Sequence, residues 1–142
     1  MIHQPLVLGG EHAGRALAER LLEEYESVTF IDENEAVVAH AIERGIDARV
    51  AAFDEPQSLR AAWNENADAV IVVGRIDPTN LLLTQASRTT FDVDRVTVLV
   101  NDPQNTDVFE DLGVEVICVT SLVTDMVVGS RAEPAEDARA GG

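Results

Sequence analysis

PLVLGGEHAGRALAERLLEEYESVTFID, residues 5–32, is the stretch that decides the fold. A short apolar strand, Leu6–Leu8, runs into Gly9-Gly10-Glu11-His12-Ala13-Gly14. A helix-period segment follows, then a second apolar strand, Val28–Ile31, that ends in Asp32. Strand, glycine turn, helix, strand and terminal acid is the order of the G-x-G-x-x-G dinucleotide fingerprint. In it the first glycine makes the tight turn, the second lets the backbone approach a pyrophosphate, and the third lets the helix pack on the strand. Gly9 and Gly14 fill the first and third places, and Glu11 fills the second. The fold signal is intact, while the ligand signal is altered at the residue that meets the ligand.

Outward from this unit, short apolar runs alternate with helix-period segments. Strands are expected at Leu6–Leu8, Val28–Ile31, Ala48–Ala51, Ala69–Val73, Val96–Val100 and Val114–Val119. Most are continuous rather than alternating, as parallel strands covered on both faces are. Helices are expected between them at about 13–25, 34–44, 57–65, 79–88 and 104–111, with a last short one at 121–128. Gly45 and Gly113 stand where C-terminal caps belong. Asp54-Glu55-Pro56, Asp77-Pro78 and Asp102-Pro103 each place a carboxylate and a proline at a helix start, which suggests capping. Strand–helix alternation throughout predicts an α/β fold: a doubly wound parallel sheet of order 3-2-1-4-5-6 in three αβα layers. The polar tail SRAEPAEDARAGG, after Gly129, is expected to be disordered.

At 142 residues the chain is expected to form one domain. Its net charge is −16, and all 10 basic residues are arginine. Such a surface repels nucleic acid and anionic lipid. Dense carboxylates without lysine suggest a halophilic protein from a salt-loaded cytoplasm, where self-repulsion is screened. The single cysteine, Cys118, lies in an apolar run and reads as a small core residue in a reducing compartment. No basic region leads into an apolar stretch at the N-terminus, and no apolar run approaches the ~20 residues that cross a bilayer. The expectation is a soluble, cytoplasmic chain without direct membrane insertion.

Taken in order, the segments VLGGEHAGRALAERL, VTFIDENEAVVA, NADAVIVVGRIDPTNLLLTQASR, VLVNDPQNTDVFEDLGVEVI and VTSLV resemble an RCK N-terminal (TrkA-N) domain over about residues 5–125. These are cytosolic Rossmann modules that regulate potassium channels and transporters. The run from Ala67 through Asn80, followed by Asn101-Asp102-Pro103 and Leu112-Gly113, is the discriminating part. The resemblance implies a Rossmann-like domain over 1–128, with 129–142 as an acidic tail. It implies a site for NAD(H) or an adenine nucleotide, with Gly9, Gly10, Glu11, His12, Ala13 and Gly14 forming the loop and Asp32 bonding ribose hydroxyls. Two departures stand out. Glu11 replaces the middle glycine, and Ala51-Ala52 stand where members usually carry Gly-Asp near the adenine.

The departure at Glu11 can be weighed. Two unit charges about 4 Å apart at an effective dielectric near 20 interact by about 4 kcal/mol. A micromolar ligand has only about 8 kcal/mol of binding free energy. A Glu11 facing a pyrophosphate therefore removes most dinucleotide affinity, unless its side chain turns away or a cation bridges it to phosphate. Asp32 has two roles open to it, ribose ligand and N-cap of the helix near Asn34. Arg75, beside Gly74, can offset Glu11, touch a phosphate or form a surface salt bridge. His12 can reach a phosphate from the loop, whereas His3 and His40 read as surface residues. Trp63 reads as core or subunit interface.

Catalytic signatures are scarce. Without lysine there is no Tyr-x-x-x-Lys pair, and there is no H-E-x-x-H, cysteine pair or G-x-S-x-G elbow. No catalytic or metal-ligating residue is assigned. The expected function is a non-enzymatic regulatory domain that forms homo-oligomers and serves as a subunit of a potassium channel or transporter. It senses NAD(H) or an adenine nucleotide weakly or has lost the ligand. The alternative from another class is a small NAD-dependent oxidoreductase or its cofactor-binding half.

Overall fold

The computed structural model describes residues 1–132. Six parallel strands form one sheet: β1 (Pro5–Leu8), β2 (Thr29–Asp32), β3 (Asp47–Val50), β4 (Ala69–Val72), β5 (Val96–Val100) and β6 (Glu115–Cys118). The spatial order is β3-β2-β1-β4-β5-β6, as the alternation pattern requires. The helices are α1 (His12–Leu21), α2 (Glu35–Glu43), α3 (Pro56–Ala62), α4 (Asp77–Gln85), α5 (Thr106–Glu110) and α6 (Val119–Ala132). The chain is a Rossmann-like α/β fold.

Leu6 and Leu8 point to one face of the sheet and Val7 to the other, and all three are fully buried. One core layer gathers Leu6, Leu8, Ile31, Val70, Val72 and Val98 with the helices on that face. The other gathers Val7 and Phe30 with α1 and α2. Burial on both faces accounts for the continuous apolar runs. Register is fixed across the centre by Leu6 against Val70 and Leu8 against Val72 on one side, and Val7 against Phe30 on the other.

Several local expectations need correction. The first helix stops at Leu21, and Tyr25 lies beyond it, after a turn at residues 22–24. After α4 the backbone widens into a π-helical stretch, Ala86–Thr90. The hydroxyls of Thr84, Ser87 and Thr89 each donate to the carbonyl four residues back, a contact that competes with the helical ladder and loosens it. The final helix spans Val119–Ala132 rather than 121–128, so it runs through Gly129. Residues 133–142 of the expected tail lie outside the described residues. Cys118 is half-exposed at the end of edge strand β6, not a core residue. Its thiol is held below the ordinary range by contacts from the Ser121 hydroxyl and amide.

Of the proposed acidic caps, only Asp102 caps its own helix start, accepting from the Gln104 amide at 3.0 Å. Glu55 makes no capping bond to α3, and Asp77 has a different task. Gly45 does cap α2. At φ +86° it lets its own amide reach the Ile42 carbonyl and the Ile46 amide reach the Ala41 carbonyl, closing a Schellman motif. Trp63 is core: it stacks face to face on Phe91 with ring centroids 3.8 Å apart. No helix among the described residues is long and apolar enough to cross a membrane.

Candidate functional site

Sheet order reverses between β1 and β4, and ligands of doubly wound sheets bind outside the strand ends at such a switch point. A cleft of about 510 Å3 opens there, its lining including Gly9, Glu11, Asp32, Phe53, Arg75 and Asn80. The β1–α1 loop supplies its floor. Gly9 and Gly10 have φ of +79° and +85°, in the left-handed region that glycine tolerates. A Cβ on Gly10 would lie 2.8 Å from Val73 Cγ2 and 3.0 Å from the Val73 carbonyl oxygen. A Cβ on Gly14 would collide with the Gly9 carbonyl oxygen and crowd Phe30. Gly14 therefore performs the third-glycine task of the fingerprint.

Glu11 keeps the backbone of the glycine it replaces, with φ +50° and ψ −122°. For a residue with a side chain such a conformation costs on the order of 1–3 kcal/mol. Local bonds hold it there: its amide donates to Asp32 Oδ1 at 3.1 Å, and its carbonyl accepts from the Arg15 amide at 3.0 Å. The side chain lies across the mouth of the cleft. Oε1 accepts from Arg75 Nη2 at 3.1 Å, and Oε2 accepts from Asn34 Nδ2 at 3.3 Å. Three of the elements that line the cleft are thus bridged by one carboxylate. Arg75 pairs with Glu11, as its position beside Gly74 allowed, although it is 78% exposed.

Asp32 is buried at the end of β2. Its Oδ1 holds the Glu11 amide and its Oδ2 the Asn34 amide at 2.9 Å. It is not the cap of α2. That role belongs to Asn34, whose side chain accepts from the Ala36 and Val37 amides. Burial pushes the Asp32 carboxyl above its ordinary range, against the two amide bonds and with help from the nearby Glu11 and Glu33 charges. Glu33 turns aside, its Oε2 accepting the Phe53 amide at 2.8 Å. That bond positions Phe53 over the loop, its ring edge 3.6 Å from where a Gly9 Cβ would stand. Ala51 is buried, and the Ala52 amide is taken by Ser58 Oγ at 2.8 Å. An aromatic wall thus lines the cleft next to the alanine pair.

Three of the loop's amides are spent within the protein. Gly9 donates to the Ile31 carbonyl, Glu11 to Asp32 and Ala13 to the Gly10 carbonyl. His12 and Ala13 do not line the cleft; the His12 ring sits edge-on to that of His40 on α2, with centroids 6.5 Å apart. His3 and His40 are exposed, as expected.

Two polar residues at the start of α4, of which Asn80 lines the cleft, were not read as site residues from the sequence. Asn80 is fully buried, and its Nδ2 donates to the Gly74 carbonyl at 2.7 Å and the Leu99 carbonyl at 3.0 Å. Its Oδ1 is buried without a partner, 2.5 Å from where a Gly74 Cβ would stand. Asp77, read as a helix cap, is a clasp between the β4–α4 and β5–α5 junctions. Its oxygens accept from the Asn101 and Asp102 amides and from the Asn101 and Asn105 side chains, at 2.9–3.0 Å. Burial raises the Asp77 carboxyl, but these four bonds outweigh it and hold the group below its ordinary range. The signal was present as Asn101-Asp102 and Asn105, a polar cluster after β5.

Residues 6–120 match the model of the TrkA-N domain. The chain belongs to the TrkA-N domain family. A Trk system potassium uptake protein TrkA of Mycobacterium tuberculosis is 30% identical over 115 residues, 80% of this chain and 52% of that protein. The Streptomyces coelicolor protein of the same name is 27% identical over 125 residues, 87% of this chain and 56% of its own length. This TrkA-N chain spans about half the length of the curated relatives it matches. Among solved structures, the NAD(P)-binding domain of an exopolyphosphatase-related protein from Archaeoglobus fulgidus superposes with a TM-score of 0.77 at 26% identity. That match covers 90% of this chain and 96% of the other.

Proposed function

We propose that this TrkA-N chain is a non-enzymatic, cytoplasmic regulatory domain of a potassium channel or transporter, working as a homo-oligomer. The observation that carries the reading is the match to the TrkA-N model across the whole switch-point cleft, from β1 to the start of α6. The Trk uptake proteins it resembles supply the transport link. The NAD(P)-binding domain from Archaeoglobus fulgidus supports the same cleft as the ligand site.

The regulation is a shift between subunit arrangements. A ligand moves such an equilibrium only by the difference between its affinities for the two arrangements. Here NAD(H) and adenine nucleotides bind weakly, so they move it little. The Glu11 carboxylate lies across the phosphate side of the cleft, and the Glu11 amide is turned onto Asp32. Asp32 remains as the ribose-binding acid, and Arg75 partly offsets the Glu11 charge.

Rubidium uptake in the source cell tests the reading. Deleting the gene for this chain should lower uptake, and returning it should restore the rate. Uptake that does not change on deletion, or steady NADH oxidation by the purified protein with a substrate panel, contradicts it.

A further inference from the structure

The same cleft has a ligand preference that differs from the dinucleotide fingerprint. This step rests on the cleft being the ligand site of the regulatory domain. The geometry points to a neutral nucleoside, a ribose diol carrying a base, as the ligand class that the cleft takes in preference to nucleotides and dinucleotides.

Two observations carry this. First, the groups that hold a nucleoside are present. Asp32 is 3% exposed, and each of its oxygens has accepted one backbone amide. A carboxylate has about four acceptor sites, so two remain for vicinal hydroxyls. Phe53 and Leu83 give the cleft apolar wall for a base. Second, part of the loop that would hold phosphate is committed within the protein. In an ordinary fingerprint the glycine loop presents outward amides to a pyrophosphate. Here the Gly9, Glu11 and Ala13 amides are bonded inward.

Charge points the same way. Glu11, Asp32 and Glu33 line the cleft against the single cation Arg75, which is already paired with Glu11. A ligand carrying no charge escapes this field, and each phosphate added to it meets more of it. The cleft volume, about 510 Å3, is ample for one nucleoside.

The test is calorimetric titration of adenosine, 2′,3′-dideoxyadenosine, AMP, ADP and NADH into the full chain and into Glu11→Gln and Glu11→Gly, in dilute buffer and in molar KCl. Adenosine should bind, with ADP weaker by about tenfold or more in dilute buffer. Dideoxyadenosine should lose about tenfold, because the diol no longer reaches Asp32. In Glu11→Gln the gap between adenosine and ADP should close to about threefold, and molar KCl should narrow it in the native chain. ADP or NADH binding the native chain as tightly as adenosine overturns the inference. Silence toward adenosine while Glu11→Gly binds NADH also overturns it but leaves the regulatory reading standing. Silence toward every ligand from all three proteins overturns the inference together with the cleft as the ligand site.

Discussion

The β1–α1 and β4–α4 junctions flank the cleft, and each places an acidic residue at the start of its helix, Glu11 in one and Asp77 in the other. Asp77 is buried and accepts four hydrogen bonds from the neighbouring β5–α5 junction. The Glu11 side chain is 45% exposed, sits on a backbone suited to glycine, and makes one ion pair and one long amide contact. Donors were built around the Asp77 carboxylate, whereas Glu11 occupies a loop built for glycine. Asp77 therefore belongs to the architecture, and Glu11 acts on what the architecture can bind.

Substitutions should separate the two junctions by sign and size. Asp77→Ala leaves several buried donors without their charged acceptor and should cost about 3 kcal/mol, a fall in Tm of about 10 °C. Asp77→Asn, which retains one acceptor oxygen, should lose about half of that. A thermal melt of Asp77→Ala within a degree or two of the native chain would erase the contrast. Gly14→Ala, in the other junction, should cost about 2–3 kcal/mol because its Cβ meets the Gly9 carbonyl oxygen. Glu11→Gly has the opposite sign. Relief of about 1–3 kcal/mol of backbone strain exceeds the entropy that glycine adds to the unfolded chain, for a net gain of about 1 kcal/mol in denaturant unfolding. Arg75→Ala should be the smallest, within about 0.5 kcal/mol, because the ion pair is exposed.

Titration separates Asp77 from Asp32 as well. The Asp77 carboxyl lies below its ordinary value, near 3.9, so the unfolded state binds the proton more readily. Its contribution is complete above about pH 4 and is lost as pH falls through the folded value. Asp32 has the reverse sign. Its folded carboxyl is raised by burial, so stability declines as pH rises from about 4 through the folded value. Asp77→Asn should flatten the acid limb of a stability–pH curve, and Asp32→Asn should remove the decline above it. An acid limb unchanged in Asp77→Asn would show that the clasp does not set it.

The sheet order was legible because burial on both faces of parallel strands leaves continuous apolar runs such as Leu6–Leu8 and Val96–Val100, and because Gly9 and Gly14 punctuate the first turn. The places of Gly14 against the first turn and Asp32 at the end of β2 were legible for a similar reason: both are set within one strand–helix–strand unit. The roles of Asp77 and Asn80 were not legible, since their partners lie up to 28 residues away across the sheet. A sequence shows which groups can cap locally, and a carboxylate before proline looks the same whether it caps its own helix or clasps the next loop. The π-helical stretch hid for a related reason, since the bonds of the Thr84, Ser87 and Thr89 hydroxyls to backbone carbonyls are seen only in the fold. The direction of the Glu11 side chain depended on Asn34 and Arg75, which come from two other loops.

On the reading proposed above, the Glu11 side chain is the main barrier to a pyrophosphate in this Rossmann cleft. The decisive measurement is calorimetric titration of NADH into the native chain and Glu11→Gly, side by side in molar KCl. The variant should bind NADH at least about tenfold more tightly than the native chain. Equal affinity in the two proteins, at micromolar strength, would contradict that role for Glu11.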